Sequence, residues 1–239
     1  EILIVDEVLA VGDADFQKKC LGKMGDINKS EGRTILFVSH IMSSISAFCN
    51  QSILLEDGEL KMFGSTNNVI RNYLDGGTTD KEHYLNTSNK DNSQVYLEEA
   101  FFQNELKEKR NTFSSDEIIE LVFRVRKNVQ IRGVYGYLAI QNSQGIMIIE
   151  TDTLEQGTNI YDTSDIGLIE SKVQLSKRIF NKGKYYVTLG LASSQADKFQ
   201  LESLPNFLSF EVVSQNTERD ATRQSVLSFI PSWESHNSK

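Results

Sequence analysis

The period of the hydrophobic positions changes near residue 94, and this change divides the chain into two parts. Before it, apolar runs of strand length alternate with apolar stripes of helical spacing, as in the predicted helix 13–29. After it, the helical period gives way to runs in which every second residue is apolar. We therefore predict an α/β lobe followed by an all-β domain.

The first part contains five further elements. The continuous apolar runs 1–6 and 33–39 predict strands that are covered on both faces, as in a parallel sheet. A short helix is predicted over 40–48. Asp57-Gly58 stands between two short apolar runs and predicts a β-hairpin, and Ser65 is the expected cap of a last helix. This order indicates a parallel α/β layer that ends in an antiparallel hairpin.

The second part carries turn signals between short alternating runs, which favours a β-sandwich of the jelly-roll or immunoglobulin-like type. The runs predicted to be strands are 95–103, 117–127, 132–141, 146–150, 167–175, 184–192, 206–213 and 225–230. The polar, turn-rich stretch between the two parts predicts a linker. The predicted domains are 1–75 and 95–239, joined by the linker 76–94.

Composition limits the possible functions. The 239 residues carry a net charge of -8, with 9 basic and 14 acidic residues before Gln94 and 16 basic and 19 acidic residues from there on. Neither part has the basic excess that binding to a phosphate backbone requires, so nucleic acid is not an expected partner. No apolar run has the length of a membrane span. Cys20 and Cys49 are too few for a disulfide framework and are expected to be buried, reduced thiols.

Acidic residues directly follow the first strand. Asp6-Glu7 after four apolar residues suits phosphoryl transfer from ATP, which needs a held Mg²⁺ and a carboxylate that activates water. Carboxyl ends of parallel strands form the crevice in which open α/β sheets bind ligands, and His40 ends the next strand. Taken alone, Asp6-Glu7 is also compatible with a strand that simply ends in solvated carboxylates.

The segment 6–20 (DEVLAVGDADFQKKC) resembles the Walker B and D-loop region of ATP-binding-cassette (ABC) ATPases. Within that superfamily, Ala-Val-Gly-Asp at 10–13 is similar to the polysaccharide-exporter branch, the Wzt-type O-antigen and teichoic-acid exporter ATPases. The resemblance covers residues 1–75. It implies ATP and Mg²⁺ as cofactors, an α/β P-loop ATPase lobe, a homodimer, and a transmembrane permease subunit as partner at the cytoplasmic face of the bacterial membrane.

The same resemblance implies a role for each matching residue. Asp6 would hold Mg²⁺ through water, and Glu7 would be the catalytic base. Asp13 would make the D-loop contact across the ATPase dimer, and His40 would be the switch histidine near the γ-phosphate.

The second part is similar, more weakly, to the C-terminal domain of Wzt-type subunits, a β-sandwich that binds the exported glycan and exchanges a terminal strand in a dimer. The run 225–230 is the candidate for exchange. Sugar binding uses aromatic faces and planar polar groups. Alternation directs Arg124, Tyr135, Tyr137 and Tyr186 away from the core, so these residues are the candidate glycan-binding face, with Trp233 as a further candidate for stacking. Tyrosines at such positions also occur simply as cross-strand pairs on exposed sheets.

Three alternatives stay open at this point. In the first, the chain is a non-transport ATPase of this superfamily that acts on DNA. The excess of acidic over basic residues disfavours this alternative. The β-domain would be a regulatory or dimerisation module rather than a glycan receptor. A third alternative, an importer with an oligonucleotide-fold barrel, is disfavoured by the large number of strands.

We expect ATPase activity only in a longer protein. In the ABC family the Walker A loop, the Q-loop and the signature motif precede Walker B, and the 239 residues contain none of them. The amides and the lysine that surround the phosphates are therefore missing. Titration calorimetry of the chain with Mg²⁺ and ATP should show no tight binding, and tight binding would contradict the assignment.

Overall fold

The chain divides into two compact units, Glu1–Tyr73 and Leu74–Lys239. The computed structural model describes residues 2–6, 34–76, 83–88, 93–155, 160–193, 200–214 and Leu227.

The first unit begins with a parallel pair of strands. Strand β1 (Ile2–Asp6) pairs with β2 (Thr34–Val38), and Asp6 lies opposite Val38. Helix α1 (Met42–Phe48) follows, and the Ser39 hydroxyl accepts a hydrogen bond from the Ile41 amide at 3.0 Å just before it begins. The parallel pairing agrees with the prediction made from the two apolar runs, but the expected cover on both faces is not seen among the described residues, where Ile2, Ile4 and Val38 are exposed. Helix α1 begins two residues later than predicted.

A two-stranded antiparallel hairpin and a helix complete the first group of elements. The hairpin consists of β3 (Gln51–Glu56) and β4 (Glu59–Ser65), and helix α2 spans Thr66–Asp75. Asp57 and Gly58 have φ angles of 51° and 81°, the left-handed region that a tight hairpin turn requires and that Asp-Gly tolerates. The hairpin is confirmed. The predicted helix 13–29 lies outside the described residues, and the P-loop lobe stays a prediction.

The second unit is a sandwich of two β-sheets. The five-stranded sheet has the order β10-β9-β12-β13-β7, and the four-stranded sheet has the order β11-β8-β6-β5. All neighbouring strands are antiparallel except β13 and β7, which are parallel. The strands are β5 (His83–Leu85), β6 (Val95–Gln103), β7 (Thr112–Ser114), β8 (Ile119–Lys127), β9 (Val134–Asn142), β10 (Met147–Asp152), β11 (Gly167–Leu175), β12 (Gly183–Ser193) and β13 (Gln200–Ser214).

A single apolar core fills the space between the two sheets, because strand alternation turns every second side chain inward. Phe102 of β6 meets Phe210 of β13 across the sandwich, with ring centroids 5.1 Å apart. Tyr185 of β12 stacks on the same Phe210 ring at 5.2 Å. One polar contact also crosses the core: the buried Glu202 carboxylate of β13 accepts a hydrogen bond from the Leu97 amide of β6.

The structure confirms the predicted strands that fall in this unit, with two additions. Strands β5 and β7 are three residues each, too short to show a period-2 pattern. Because β5 pairs with β6, part of the range predicted to be a linker, 76–94, is a strand of the sandwich. The predicted strand 225–230 lies outside the described residues except for Leu227, which forms an antiparallel bridge with Phe180 of the same chain.

Ion pairs cover the outer face of the four-stranded sheet. Arg124 of β8 lies between Glu99 of β6 and Glu170 of β11, donating to both carboxylates. Glu99 also accepts hydrogen bonds from Lys109 at 3.2 Å and from His83, whose Nε2 lies 2.7 Å from Glu99 Oε1. Burial acts to raise the pKa of the Glu99 carboxyl, but hydrogen bonds from these three basic side chains outweigh it and lower the pKa below its usual value.

A buried lysine fixes helix α3 (Ile160–Thr163) to the sandwich. Lys127, at the end of β8, is 1% exposed, and its Nζ donates to the carbonyl oxygens of Tyr161 at 2.9 Å and Ser164 at 3.0 Å. These two carbonyls lie at the end of a single helical turn, where backbone oxygens lack helical partners. The ammonium group therefore acts as a cap for this turn.

Replacing Lys127 with methionine should destabilise the second unit by about 1–3 kcal/mol, because two carbonyl oxygens lose their donor while the aliphatic volume is kept. Urea unfolding followed by circular dichroism measures the change. Lys177→Met is the matched control, since Lys177 is half exposed and pairs with Glu105 at 3.3 Å on the surface. Equal stability of the two variants would contradict the capping role.

Acidification should lower the free energy of unfolding of the sandwich through protonation of Glu99. A carboxyl group whose pKa is lower in the folded chain than in the unfolded chain stabilises the fold above the unfolded pKa, and this contribution is lost as the pH falls through the folded pKa. We therefore expect the free energy of unfolding to fall between about pH 5 and pH 3. Glu99→Gln should be less stable at pH 7 and should lose less stability over that interval. Glu150→Gln, an exposed change on β10, is the control and should retain the wild-type pH profile.

Candidate functional site

The first candidate site lies at the carboxyl ends of β1 and β2. Asp6 is the last residue of β1, and His40 follows the end of β2 by two residues. Because the strands are parallel and Asp6 is in register with Val38, both side chains stand at the same edge of this sheet, and both are exposed. Glu7 and Asp13, the other two predicted nucleotide-site residues, lie outside the described residues.

Asp6 is the residue of this edge that suits a magnesium ion, since a carboxylate oxygen is the ligand that Mg²⁺ prefers. Within the described ranges, no three His, Cys, Asp or Glu side chains converge in a cluster that would hold a metal by themselves. The helices of the described ranges include none that is both long and apolar enough to span a membrane.

The second candidate site is the outer face of the five-stranded sheet. On β9, Val134, Leu138 and Ile140 are buried in the core, and the alternating Tyr135 and Tyr137 are half-buried on the other side. This arrangement agrees with the orientation expected from the sequence for these two tyrosines.

The Tyr137 ring lies across the neighbouring strand. Tyr137 is in register with Gly190 of β12, and a Cβ atom added to Gly190 would stand 2.0 Å from Tyr137 Cε1 and 2.3 Å from its hydroxyl oxygen. The ring therefore occupies the space that any larger side chain at position 190 would fill. A glycine beneath an aromatic ring on a sheet lets the ring approach the backbone closely, and we refer to the Tyr137 ring over Gly190 as the Tyr137 platform.

Polar groups flank this platform. The side-chain amide of Gln141 on β9 donates a hydrogen bond to Asn206 Oδ1 at 2.6 Å. The backbone N–H of Asn206 donates to Thr188 Oγ1 at 3.1 Å. Asn206 has a φ of 48° at an irregularity in β13, a conformation that asparagine tolerates better than most residues. The sequence analysis missed Gly190, Asn206 and Thr188, because only the strand register brings them beside Tyr137.

Two of the predicted binding residues are placed differently from the expectation. Arg124 is on β8 of the four-stranded sheet, so it faces the opposite side of the sandwich from Tyr135 and Tyr137 and cannot share a surface with them. Tyr186 is turned away from the core, as alternation predicts, but it is fully buried, and its hydroxyl donates to Asp75 Oδ1 at 2.7 Å. Lys184 donates to the same oxygen at 2.7 Å.

The correction has a physical cause. Alternation fixes the side of a strand on which a residue lies, but it does not tell which sheet the strand joins or whether another segment covers that side. The Tyr186 hydroxyl is bonded to Asp75 and the whole side chain is buried, so this ring is closed to a ligand. Trp233, the other aromatic candidate, lies outside the described residues.

Comparison with known proteins points to one family. Residues 86–223 match the family described as the Wzt C-terminal domain. A crystal structure of the C-terminal domain of Wzt superimposes with a TM-score of 0.52 at 13% identity, covering 66% of this chain and 90% of that one. At this identity the likeness is one of fold, and it agrees with the β-sandwich of the second unit.

Similarity to curated proteins is confined to part of their length. The teichoic acids export ATP-binding protein TagH of Levilactobacillus brevis is 31% identical over 123 residues, which are 49% of this chain and 34% of that protein. TagH of Bacillus cereus is 41% identical over 73 residues, 30% of this chain and 13% of that protein.

The O-antigen export system ATP-binding protein RfbB of Klebsiella pneumoniae is 48% identical over 73 residues, 30% of this chain and 29% of that protein. The chain thus spans about a third or less of the length of these three relatives. The family match, by contrast, covers more than half of the chain. This chain belongs to the Wzt C-terminal domain family.

Proposed function

We propose that this chain is part of the ATP-hydrolysing subunit of an exporter of cell-surface polysaccharide, and that its second unit recognises the exported glycan. The names of the similar proteins, which are ATP-binding proteins for the export of teichoic acids and O-antigen, support the assignment to an exporter ATPase subunit. The observation that supports glycan recognition is the Tyr137 ring lying over Gly190 on the outer face of the five-stranded sheet.

The ATPase role rests on the edge of the β1–β2 sheet. Asp6 would bind Mg²⁺ through water, and Glu7 would activate the attacking water. His40 would contact the γ-phosphate, and Asp13 would reach across an ATPase homodimer. When bound, Mg²⁺ would neutralise charge on the β and γ phosphates of ATP. The parallel register that brings Asp6 and His40 to one edge supports this arrangement.

The assembled subunit would work at the cytoplasmic face of the membrane, bound to a transmembrane permease. Hydrolysis at the dimer interface would then be coupled to passage of the polysaccharide. Nucleic acid is not a proposed partner, because the net charge of -8 would repel a phosphate backbone. The same charge argues against the alternative of an ATPase that acts on DNA.

Glycan recognition at the Tyr137 platform follows from the chemistry of sugars. A pyranose ring has an apolar C–H face that stacks on an aromatic ring, and it has hydroxyl groups at its edge that need hydrogen-bond partners. The Tyr137 ring provides the flat surface, and Gln141, Asn206 and Thr188 provide amide and hydroxyl groups on the same face. Tyr135, two residues away on the same side of β9, would extend the aromatic surface along the strand.

The main alternative makes the second unit a regulatory or dimerisation module. A terminal strand 225–230 exchanged between two copies would serve that role without any sugar. The alternative predicts a dimer that binds no polysaccharide. The Tyr137 ring over Gly190 is only half-buried and has hydrogen-bonding side chains on the same face, which favours the glycan receptor.

Removing the Tyr137 ring should weaken glycan binding by about tenfold, which corresponds to about 1.4 kcal/mol of stacking. The test is titration of the whole chain with purified O-antigen chains and wall teichoic acids, comparing wild type with Tyr137→Ala. Gly190→Ala should act in the same direction with the ring still present, because the added methyl group displaces it.

The matched control is Tyr96→Ala, which removes a half-buried tyrosine from the outer face of the other sheet and should leave binding unchanged. Thermal unfolding of each variant separates loss of binding from loss of fold. A wild-type chain that binds none of these polysaccharides would favour the regulatory alternative. Binding that survives both Tyr137→Ala and Gly190→Ala would place the sugar elsewhere.

A further inference from the structure

The two sheets of the second unit have four edges, formed by β10 and β7 in the five-stranded sheet and by β11 and β5 in the four-stranded sheet. An edge strand presents unpaired backbone N–H and C=O groups, and native proteins limit pairing there with short strands, bulges or proline. Strands β5 and β7 have three residues each, and the register of β10 shifts between Met147 and Ile149. The part of β13 that extends beyond β7 contains Pro205 and the left-handed Asn206. Each of these edges is therefore a poor template for a further strand.

Strand β11 carries none of these features. It pairs with β8 over nine residues, Gly167–Leu175, without a register shift, and no strand among the described residues pairs with its other side. Its side chains alternate regularly between inward positions such as Ile169 and outward positions such as Glu170. This edge is thus a regular template for an added strand, in which backbone hydrogen bonds supply affinity and alternate side chains supply specificity.

The outward side chains of β11 are complementary to the same strand running in the opposite direction. Glu170 and Lys172 stand on either side of Ser171, and their side chains are 40% and 50% exposed. In an antiparallel pair of two β11 strands centred on Ser171, Glu170 of each copy would lie opposite Lys172 of the other, and opposite charges at such positions attract. Charges on an edge strand commonly discourage pairing, but here the two signs are arranged so that they would hold two copies together.

Neighbouring registers of the same pair are less favourable. A slip that turned the inner face of one strand outward would expose its apolar side chains, so the strands can shift only in steps that keep both inner faces on one side. The nearest such registers are centred on Glu170 or on Lys172, and each places like charges directly opposite each other. Each also leaves one end of both strands unpaired, whereas centring on Ser171 pairs the whole strand.

The inner face of β11 supports the same register. Ile169 is buried in the core of the sandwich, and Val173 is half-buried against it. With Ser171 at the centre, Ile169 of each copy would lie opposite Val173 of the other, so the apolar core would continue across the contact. The same surface patch is used by both copies, and such an isologous contact closes at a pair instead of growing into a fibre.

We propose that β11 is a self-association edge, along which two copies of this chain pair antiparallel with Ser171 on the two-fold axis. The occupant is a second copy, because the order of charges along β11 complements its own reverse. The two four-stranded sheets would join into one continuous sheet. This contact uses neither the Tyr137 platform nor the segment 225–230, so it is independent of glycan recognition and differs from the exchange of a terminal strand.

Sedimentation velocity of the whole chain tests the contact at low ionic strength, where exposed charges are screened least. Lys172→Glu and Glu170→Lys each turn the opposite-charge pairs into like-charge pairs and should raise the dissociation constant of the β11 contact by about tenfold or more. An equimolar mixture of the two variants should associate again, because the acidic strand of one variant then faces the basic strand of the other. Loss of association without recovery in the mixture would contradict the register centred on Ser171.

Glu150→Lys is the matched control. It makes the same charge change at an exposed position of β10, the edge strand of the other sheet, and should associate like wild type. Glu170 accepts a hydrogen bond from Arg124 of its own copy at 3.0 Å, so thermal unfolding of each variant separates loss of association from loss of fold.

A cysteine cross-link decides the question if a charge variant proves unstable. Ser171 would lie opposite its own copy at the centre of the pair, so Ser171→Cys should form an intermolecular disulfide under mild oxidation. Gln174→Cys is the control on the same strand, because its two copies would be about 20 Å apart along the paired strands and should not cross-link. Equal cross-linking of the two variants would contradict the proposed pairing.

Two further results would overturn the self-association edge. One is a wild-type chain that sediments as a monomer at every concentration. The other is an association that Lys172→Glu and Glu170→Lys leave unchanged, since the copies would then be held together by another surface, such as an exchanged segment 225–230.

Discussion

The apolar contact between the inner faces of the two sheets is the interaction on which the second unit depends. Rings such as Phe102 and Phe210 meet across the sandwich, and burying apolar surface of this kind is the dominant favourable term in folding. Once these side chains face inward, the alternation of each strand fixes which residues are presented outward. The positions of Tyr137 and Arg124 are both consequences of this one packing arrangement.

The two outer faces that result have different chemistry. The four-stranded sheet presents a ladder of ion pairs centred on Arg124 and Glu99, in which charged groups are already matched to one another. The five-stranded sheet presents an aromatic ring above a glycine, with amides and a hydroxyl beside it. The ion-paired groups already satisfy one another, whereas an aromatic ring with nearby polar groups suits a sugar. This difference between the two outer faces favours that of the five-stranded sheet as the proposed glycan-binding surface.

The first unit contributes a different kind of constraint, which is the direction of its strands. Parallel pairing of β1 and β2 brings both carboxyl ends to one edge, so that Asp6 and His40 lie at the same edge although 33 residues separate them in the chain. An antiparallel pair would have placed them at opposite ends. The chemistry proposed for ATP hydrolysis depends on this direction as much as on the residue types.

Local patterns in the sequence were enough to determine the elements with strong periodicity. The hairpin at Asp57-Gly58 follows from backbone sterics, and the long strands of the sandwich follow from alternation, because both are properties of neighbouring residues. The three-residue strands β5 and β7 were not predictable, since they have no period of their own and exist through pairing with β6 and β13. Only the tertiary structure decided that Arg124 and Tyr137 lie on opposite faces, that Tyr186 is buried with its hydroxyl bonded to Asp75, and that Gly190 lies under the Tyr137 ring. These facts depend on which strands become neighbours, and contacts between residues far apart in the chain determine that choice.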